Sequence, residues 1–112
     1  MNKNKEKGDR WEREVVNYLT EKLGTVVERR KAGWTLDKGD LIGVTGFCID
    51  CKDTALTAMG PGMDKAITSW RNSKQKYVVM IQKRRNKKVE DAYVVMPMWM
   101  WLTLLEELDL DD

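Results

Sequence analysis

The sequence contains no histidine, only two cysteines and no long apolar run. Two cysteines cannot form a disulfide framework, and without histidine they cannot complete a closed zinc site, which takes four Cys or His ligands. The longest apolar run, Val94 to Leu105, has 12 residues and includes Pro97 and Thr103. It is too short to span a bilayer and lacks the flanks of a signal peptide. We therefore expect a cytoplasmic protein that does not contact a membrane.

Acidic residues are concentrated at the C-terminus. Of the 18 Asp and Glu residues, five lie in the acidic tail formed by residues 106–112, so residues 1–105 hold 20 basic and 13 acidic groups, a net charge of +7. Basic side chains cluster at residues 29–31 and 83–88. Either cluster alone is typical of a solvated loop, but a basic body with both suits a polyanion such as nucleic acid.

The 112 residues suffice for one domain with a single core, which we place at residues 1–112. Residues 1–8 are polar and are expected to be a flexible N-terminus. Asp9, with Glu12 in capping-box spacing, predicts the start of a helix that ends before Gly24. The segment Gly60-Pro61-Gly62 is expected to break the chain before a second helix that reaches about Lys74.

The remaining segments alternate in a way that predicts five strands and a final helix. The predicted strands cover residues 25–30, 40–44, 47–52, 76–83 and 91–96, and the final helix has Pro97 in its first turn. The order α-β-β-β-α-β-β-α predicts an α/β or α+β fold with a central mixed sheet flanked by helices.

The predicted strand "FCIDCK" (47–52) contains both a Cys-x-x-Cys pair and an Asp-x-Lys pair. Because side chains two apart share a face of a strand, Asp50 and Lys52 point the same way as Cys48, and Cys51 points the other way. The cysteines therefore cannot readily share an ion, and we expect both to be small buried apolar residues. Asp50 and Lys52 are costly to bury unless they are paired or bound to a metal; an ion pair at the sheet edge is the alternative.

Two further acids are expected near Asp50. Asp40 opens the strand that pairs with the Asp50 strand through a short hairpin, although a Gly-Asp turn explains Asp40 as simply. In the first helix, Glu12 lies about 40° from the centre of the apolar arc, whereas Glu14 lies about 120° away and faces water. A cation shared by Glu12, Asp40 and Asp50 would compensate these carboxylates. A capping-box role explains Glu12 equally well.

Three stretches carry a resemblance to a known family: "KGDRWEREVVNYL" (7–19), "RRKAGWTLDKGDLIGV" (29–44) and "FCIDCKD" (47–53). Together they resemble archaeal-type Holliday junction resolvases and their phage-encoded relatives in the PD-(D/E)xK nuclease superfamily. That family opens with a Lys-Gly-x-x-x-Glu-Arg-Glu helix start, followed by an Asp at a strand start and a (D/E)-x-Lys strand. The resemblance covers residues 7–53 and implies the restriction-endonuclease-like fold; beyond Asp53 only the element order agrees.

The resemblance implies that Glu12, Asp40, Asp50 and Lys52 are the catalytic residues. The three acids would bind Mg²⁺, for which Mn²⁺ is a possible substitute, and Lys52 would orient the attacking water or stabilise the developing negative charge. Two positions depart from the family pattern. Gly39 stands where the superfamily has Pro, and Asp50 stands where the resolvases usually have Glu, which shortens the ligand arm by one methylene.

The implied activity is Mg²⁺-dependent, structure-specific cleavage of DNA, most directly the resolution of four-way junctions in DNA recombination. The alternatives are another PD-(D/E)xK nuclease that acts on flaps or branched DNA, and a non-catalytic basic DNA-binding module with the same fold. Phosphate contacts, which give affinity without sequence information, are expected from Arg10, Arg29, Arg30, Lys31, Lys83, Arg84, Arg85, Lys87 and Lys88.

Symmetric cleavage of a four-way junction requires two active sites related by a two-fold axis, so a resolvase should be a homodimer. The segment "MPMWMWL" (96–102) has more large apolar residues than one helix face can bury. We expect Trp99 and Met100 to lie off the core side and to contact the partner subunit, with the core face formed by Trp101, Leu104, Leu105 and Leu108. An ordinary buried C-terminal helix is the alternative.

Overall fold

The computed structural model describes residues 2–31 and 36–110, and in these residues three helices cover a five-stranded sheet. The elements are α1 Lys3–Leu23, β1 Glu28–Arg29, β2 Leu41–Ile42, β3 Phe47–Lys52, α2 Met59–Ser73, β4 Tyr77–Gln82, β5 Tyr93–Val95 and α3 Met98–Leu108. Short 3₁₀ turns cover Leu56–Ala58 and Val89–Asp91. The predicted order of helices and strands is confirmed, and the fold is mixed α+β.

The sheet order follows the chain, β1-β2-β3-β4-β5. Neighbouring strands are antiparallel except β3 and β4, which are parallel and are connected through α2. The sheet is therefore mixed, as predicted. None of the helices in the described part of the chain is both long enough and apolar enough to cross a membrane.

Two separate clusters of buried side chains lie on the two faces of the sheet. On one face α1 packs against the strands through Trp11, Val15, Leu41, Ile49, Cys51, Val79 and Ile81. On the other face α2 and α3 pack against β4 through Met63, Ala66, Val78, Met80 and Met100. Trp11 also donates a hydrogen bond from Nε1 to the Ile81 carbonyl oxygen at 3.1 Å. This bond fixes the rotation of α1 and thereby the position of the next residue, Glu12.

Helix α1 begins at Lys3, so the helix start predicted at Asp9 is wrong. The side chain of Asn2 accepts hydrogen bonds from the backbone N–H groups of Asn4 and Lys5, at 2.9 and 3.4 Å, and caps the helix there. Residues 3–8, expected to be a flexible N-terminus, are helical. The capping-box interpretation of Glu12 is also wrong, because Glu12 lies in the middle of the helix.

Helix α2 begins at Met59, so the predicted break at residues 60–62 is also wrong. Pro61 lies in the first turn, where a backbone N–H would have no helical partner, and its missing donor therefore costs nothing. A Cβ added to Gly62 would lie 3.0 Å from Met80 Sδ and 3.6 Å from Lys52 Cγ. The absent side chain therefore lets α2 approach β3 and β4 closely.

The predicted core face of the final helix is largely wrong. Met100, expected on the outer side, is buried, whereas Trp101, Leu105 and Leu108 are 38–51% exposed and Leu104 is half-buried. Most positions around this short helix are occupied by its own apolar residues, so the periodicity of the sequence does not select one face for burial. Pro97 precedes the helix, and the Pro97 carbonyl oxygen accepts a hydrogen bond from the Met100 N–H at 3.0 Å, which fixes where the helix begins.

Candidate active site

The pairing of β2 with β3 brings two of the predicted acids together. Leu41 pairs with Ile49 in an antiparallel register, and Asp40, which directly precedes Leu41, lies alongside β3 next to Asp50. The Asp40 N–H donates to the Ile49 carbonyl oxygen at 2.8 Å, and Asp40 Oδ2 accepts from the Cys51 N–H at 2.8 Å. Asp40 is therefore held by both its backbone and its side chain beside β3.

A glycine turns the chain into this position. Gly39 has φ of +99°, and a Cβ there would lie 2.9 Å from Cys48 Sγ. Its N–H donates to Asp37 Oδ1 at 2.9 Å. Proline, which the superfamily has at this position, fixes φ near about −65° and has no N–H, so it could not replace Gly39 in this turn.

Asp50 is a buried carboxyl group with an unsatisfied oxygen. Its side chain is 2% exposed, and Oδ1 has no hydrogen-bond partner among the described residues. Burial is the main cause that raises the pKa of Asp50 to about 7, and the carboxylates of Asp40 and Asp37 raise it further. The ammonium groups of Lys52 and Lys65 oppose this shift. The site therefore favours either a proton or another positive charge at Asp50.

The other two predicted acids also have raised pKa values. Burial raises the pKa of Asp40, against the opposing effect of the Cys51 N–H bond. Burial also raises the pKa of Glu12, and repulsion from Asp40 adds to it, while Arg29 lowers it. Asp40 therefore interacts electrostatically with both Glu12 and Asp50, and all three groups resist carrying a negative charge without compensation.

Glu12 is paired with an arginine rather than with the other acids. Arg29 Nε donates to Glu12 Oε1 at 3.0 Å, and Arg29 Nη2 donates to Asp9 Oδ1 at 2.7 Å. Within residues 2–31 and 36–110, no group of three or more Cys, Asp or Glu side chains is spaced to hold a metal ion. The structure thus brings Asp40 and Asp50 together and holds Glu12 beside them on Arg29.

Strand β3 has the predicted alternation of faces. Ile49 and Cys51 pack on the α1 side, while Lys52 lies under α2, against Gly62. Both cysteines are buried and free, as predicted. Burial raises the pKa of Cys48 to about 11 and also raises that of Cys51, so neither is a thiolate at neutral pH.

Three residues near the site were missed by sequence reasoning. Asp37 and Lys65 both act on Asp50 electrostatically, from the loop before β2 and from α2. Asp37 stands two residues before Gly39, and this Asx-turn spacing could have drawn attention to it. Lys65 gives no such signal, because only the packing of α2 on the sheet brings it near the site.

The third missed residue is Gln82, which pairs with Lys52 in the parallel register of β3 and β4. Gln82 is fully buried, and its Nε2 donates to the carbonyl oxygens of Thr54 and Lys83 at 2.7 and 3.2 Å. Its Oε1 is buried without a partner in the described part of the chain. Two oxygens without a described hydrogen-bond partner, one of Asp50 on β3 and one of Gln82 on β4, therefore lie on neighbouring strands close to Lys52.

The basic residues predicted to bind DNA are divided between different surroundings. Four of them line one groove of about 1140 Å³, which is also lined by Lys3 and Lys7: Arg10, Lys83, Arg84 and Arg85. Arg29 is engaged by Asp9 and Glu12, and Arg30 has a buried Nε without a described partner. Lys31, Lys87 and Lys88 are exposed outside the groove.

Comparisons of the chain with protein-family models, with curated proteins and with solved structures found no match.

The raised pKa of Asp50 predicts a pH-dependent stability for the metal-free protein. The folded value, about 7, lies above the ordinary value of 3.8, so the folded state binds this proton more tightly and stability falls as the pH rises through that window. Asp50→Asn cannot ionise, so at pH 8 it should be more stable than the wild type by up to about 4 kcal/mol. The difference should vanish near pH 4.

Urea denaturation at a series of pH values in EDTA measures this effect. Glu12 and Asp40 shift in the same direction and remain in both proteins, so they do not account for a difference between them. If the stability of the wild type and of Asp50→Asn changed with pH in the same way, the folded protein would not raise the pKa of Asp50.

Proposed function

We propose that the protein is a Mg²⁺-dependent, structure-specific DNA endonuclease with a PD-(D/E)xK fold. The resemblance favours a Holliday junction resolvase, with flaps and other branched DNA as the nearest alternative substrates. The observation that carries the proposal is that Asp40 bonds to the backbone of Ile49 and Cys51, the two residues that flank Asp50, with Lys52 two residues after Asp50 on β3. Carboxylates can bind a divalent cation that activates water, and an adjacent amine can stabilise the negative charge that develops on the phosphate.

The donor set suits a hard divalent cation. Asp50 Oδ1 is buried without a described partner, and Asp40 uses only Oδ2 in its bond to the Cys51 N–H. Carboxylate oxygens are the ligands that Mg²⁺ and Mn²⁺ prefer. Asp40 and Asp50 would hold the ion, and Glu12 would contribute once it is released from Arg29. When bound, the ion supplies a water of lowered pKa and positive charge beside the scissile phosphate.

The chain's own groups complete the chemistry. The aliphatic part of Lys52 lies against Gly62, on the α2 side of β3. From there the ammonium group can donate a hydrogen bond to a phosphate oxygen or orient the attacking water. Since the sequence has no histidine, Lys52 and the carboxyl groups are the candidates for proton transfer.

The architecture supports the proposed fold family. The β2–β3 hairpin carries the acids, and α2 connects β3 to the parallel strand β4, in the order that the resemblance implies. The Gly39 departure is explained by the positive φ that the turn requires. The shorter Asp50 arm, where the resolvases usually have Glu, keeps its carboxyl group close to the sheet, in agreement with its nearly complete burial.

A non-catalytic DNA-binding module is the second candidate. It is favoured by the Glu12–Arg29 ion pair, which leaves two acids rather than three facing one another. In that case the basic groove would bind DNA, and the raised pKa values of Glu12, Asp40 and Asp50 would result from their burial without serving catalysis. A cleavage assay with chelator controls separates the two candidates.

Helix α3 supports a dimer. Six of its apolar side chains are 38–74% exposed: Met98, Trp99, Trp101, Leu102, Leu105 and Leu108. Trp99 packs against Trp70 with the two rings tilted by 43° and their centroids 5.5 Å apart, which holds the Trp99 ring at the surface between α2 and α3. We propose that a second copy of the chain covers this face, because symmetric cleavage of a junction needs two active sites.

The catalytic proposal predicts the effects of two conservative substitutions. Asp50→Asn should abolish Mg²⁺-dependent cleavage of labelled four-way junctions and flaps, since the amide is a poor metal ligand, while DNA binding stays equal or becomes tighter. Glu12→Gln should reduce the rate about tenfold to a hundredfold, as expected for a lost group that acts at the metal or its shell.

Glu14→Gln is the matched control for Glu12. Glu14 is on the same helix, its side chain is partly exposed, and its contact with Lys83 is long, at 3.9 Å. This variant should cleave at the wild-type rate. Full activity of Asp50→Asn, or a larger loss in Glu14→Gln than in Glu12→Gln, would remove these carboxylates from catalysis.

The dimer proposal predicts that a charge on α3 separates the subunits. Trp99→Glu and Leu102→Glu should each weaken dimerisation by at least about tenfold in sedimentation equilibrium, because a buried unpaired charge costs more than 1.4 kcal/mol. Val26→Glu, at a 70% exposed apolar position in the α1–β1 connection, is the control and should leave the dimer intact. A dimer of unchanged affinity in both α3 variants would place the interface elsewhere.

A further inference from the structure

The groove lined by Arg10, Lys83, Arg84 and Arg85, here called the basic groove, begins where β3 ends. The Lys83 N–H donates to the Lys52 carbonyl oxygen at 2.9 Å, and Asp53 follows Lys52 into the groove wall. The lining contains six cationic and two acidic side chains, a net charge of +4. A phosphate chain that enters the groove therefore passes the end of β3, one residue beyond Lys52.

Asp53 holds two of these cations in place without using up their donors. Lys7 Nζ and Lys83 Nζ lie 3.6 and 3.9 Å from its carboxylate oxygens, longer than a hydrogen bond. Lys83 is further held over the ring of Trp11, with Nζ 5.5 Å from the ring centroid. Both ammonium groups are thus positioned along the groove and keep N–H donors for phosphate oxygens.

The groove also contains a platform for a nucleobase. Tyr93 is 44% exposed, and the guanidinium of Arg84 lies over its ring, 4.6 Å from the centroid. Arg84 Nη1 donates to the Asp91 carbonyl oxygen at 3.4 Å, which keeps the guanidinium on the ring. Leu56, 57% exposed, adds a second apolar contact in the lining.

Intact duplex DNA offers no partner to such a platform. Its bases are stacked on one another, so its outer surface presents phosphates and sugars to a basic groove. Unpaired bases have free faces, and their stacking on an aromatic side chain contributes about 1–3 kcal/mol for each base. The combination of cations with Tyr93 and Leu56 therefore fits a single strand.

We propose that the basic groove binds a single strand of DNA, whose backbone contacts Lys7, Arg10 and Lys83 and one of whose bases stacks on the Tyr93–Arg84 pair. The enzyme would then act where a strand has left its duplex, as at a flap, a splayed arm or an opened branch point. The binding step stands by itself; the link to cleavage rests on the nuclease activity proposed above.

Binding in the absence of metal tests this inference separately from catalysis. Fluorescence anisotropy in EDTA would compare a 12-nucleotide oligothymidylate with a 12-base-pair duplex on the full chain. The wild type should bind the single strand more tightly than the duplex. Tyr93→Leu should weaken single-strand binding about fivefold to a hundredfold, which corresponds to the loss of one stacked base.

Tyr93→Phe keeps the ring and should bind like the wild type, which separates stacking from the phenolic hydroxyl group. Val94→Ala is the neighbouring control, because Val94 is 61% exposed but does not line the groove, and its binding should be unchanged. Lys7→Gln should lower the salt dependence of log K by about 0.7 for one lost phosphate contact.

Tighter binding of the duplex, or unchanged oligothymidylate binding by Tyr93→Leu, would overturn the inference. The two proposals fail in different assays: loss of the nuclease proposal appears as absent cleavage with Mg²⁺, whereas loss of the groove proposal appears in anisotropy with EDTA.

Discussion

The electrostatic coupling of Asp40 with Asp50 is the interaction on which the site depends. Two neighbouring carboxyl groups, one of them buried with an oxygen that has no described hydrogen-bond partner, are unfavourable when both are ionised. A fold that places them together must be compensated by a proton, by the nearby ammonium groups or by a bound cation. Such a carboxylate pair, uncompensated by a salt bridge to Asp50, is characteristic of functional sites.

Several features of the chain hold Asp40 and Asp50 together. Gly39 makes the turn that places Asp40 against β3, and Gly62 lets α2 approach Lys52. The Trp11 hydrogen bond to β4 fixes α1 so that Glu12 lies beside Asp40 and Arg29. The basic groove begins at Asp53, the residue that follows β3, and Lys83 in its lining bonds to the Lys52 carbonyl oxygen.

Much of this arrangement follows from local sequence patterns. Strand alternation places Asp50 and Lys52 on one face, and helix periodicity selects Glu12 over Glu14, because both patterns are set by backbone geometry alone. Patterns fail where tertiary contacts decide. Met100 is buried only because of how α3 meets β4, and Lys65 and Gln82 reach the site only through packing of α2 and parallel pairing of β4. The Arg29 pairing with Glu12 likewise joins elements distant in sequence.

The binding of a divalent cation tests the central claim most directly. Isothermal titration calorimetry of Mg²⁺ or Mn²⁺ at pH 7, in two buffers of different ionisation enthalpy, measures both affinity and proton release. We expect the wild type to bind the cation and to release about half a proton, because Asp50 titrates near this pH, and we expect Asp50→Asn to lose the binding. Equal binding by the two proteins, or binding without proton release, would contradict a cation held by Asp40 and Asp50.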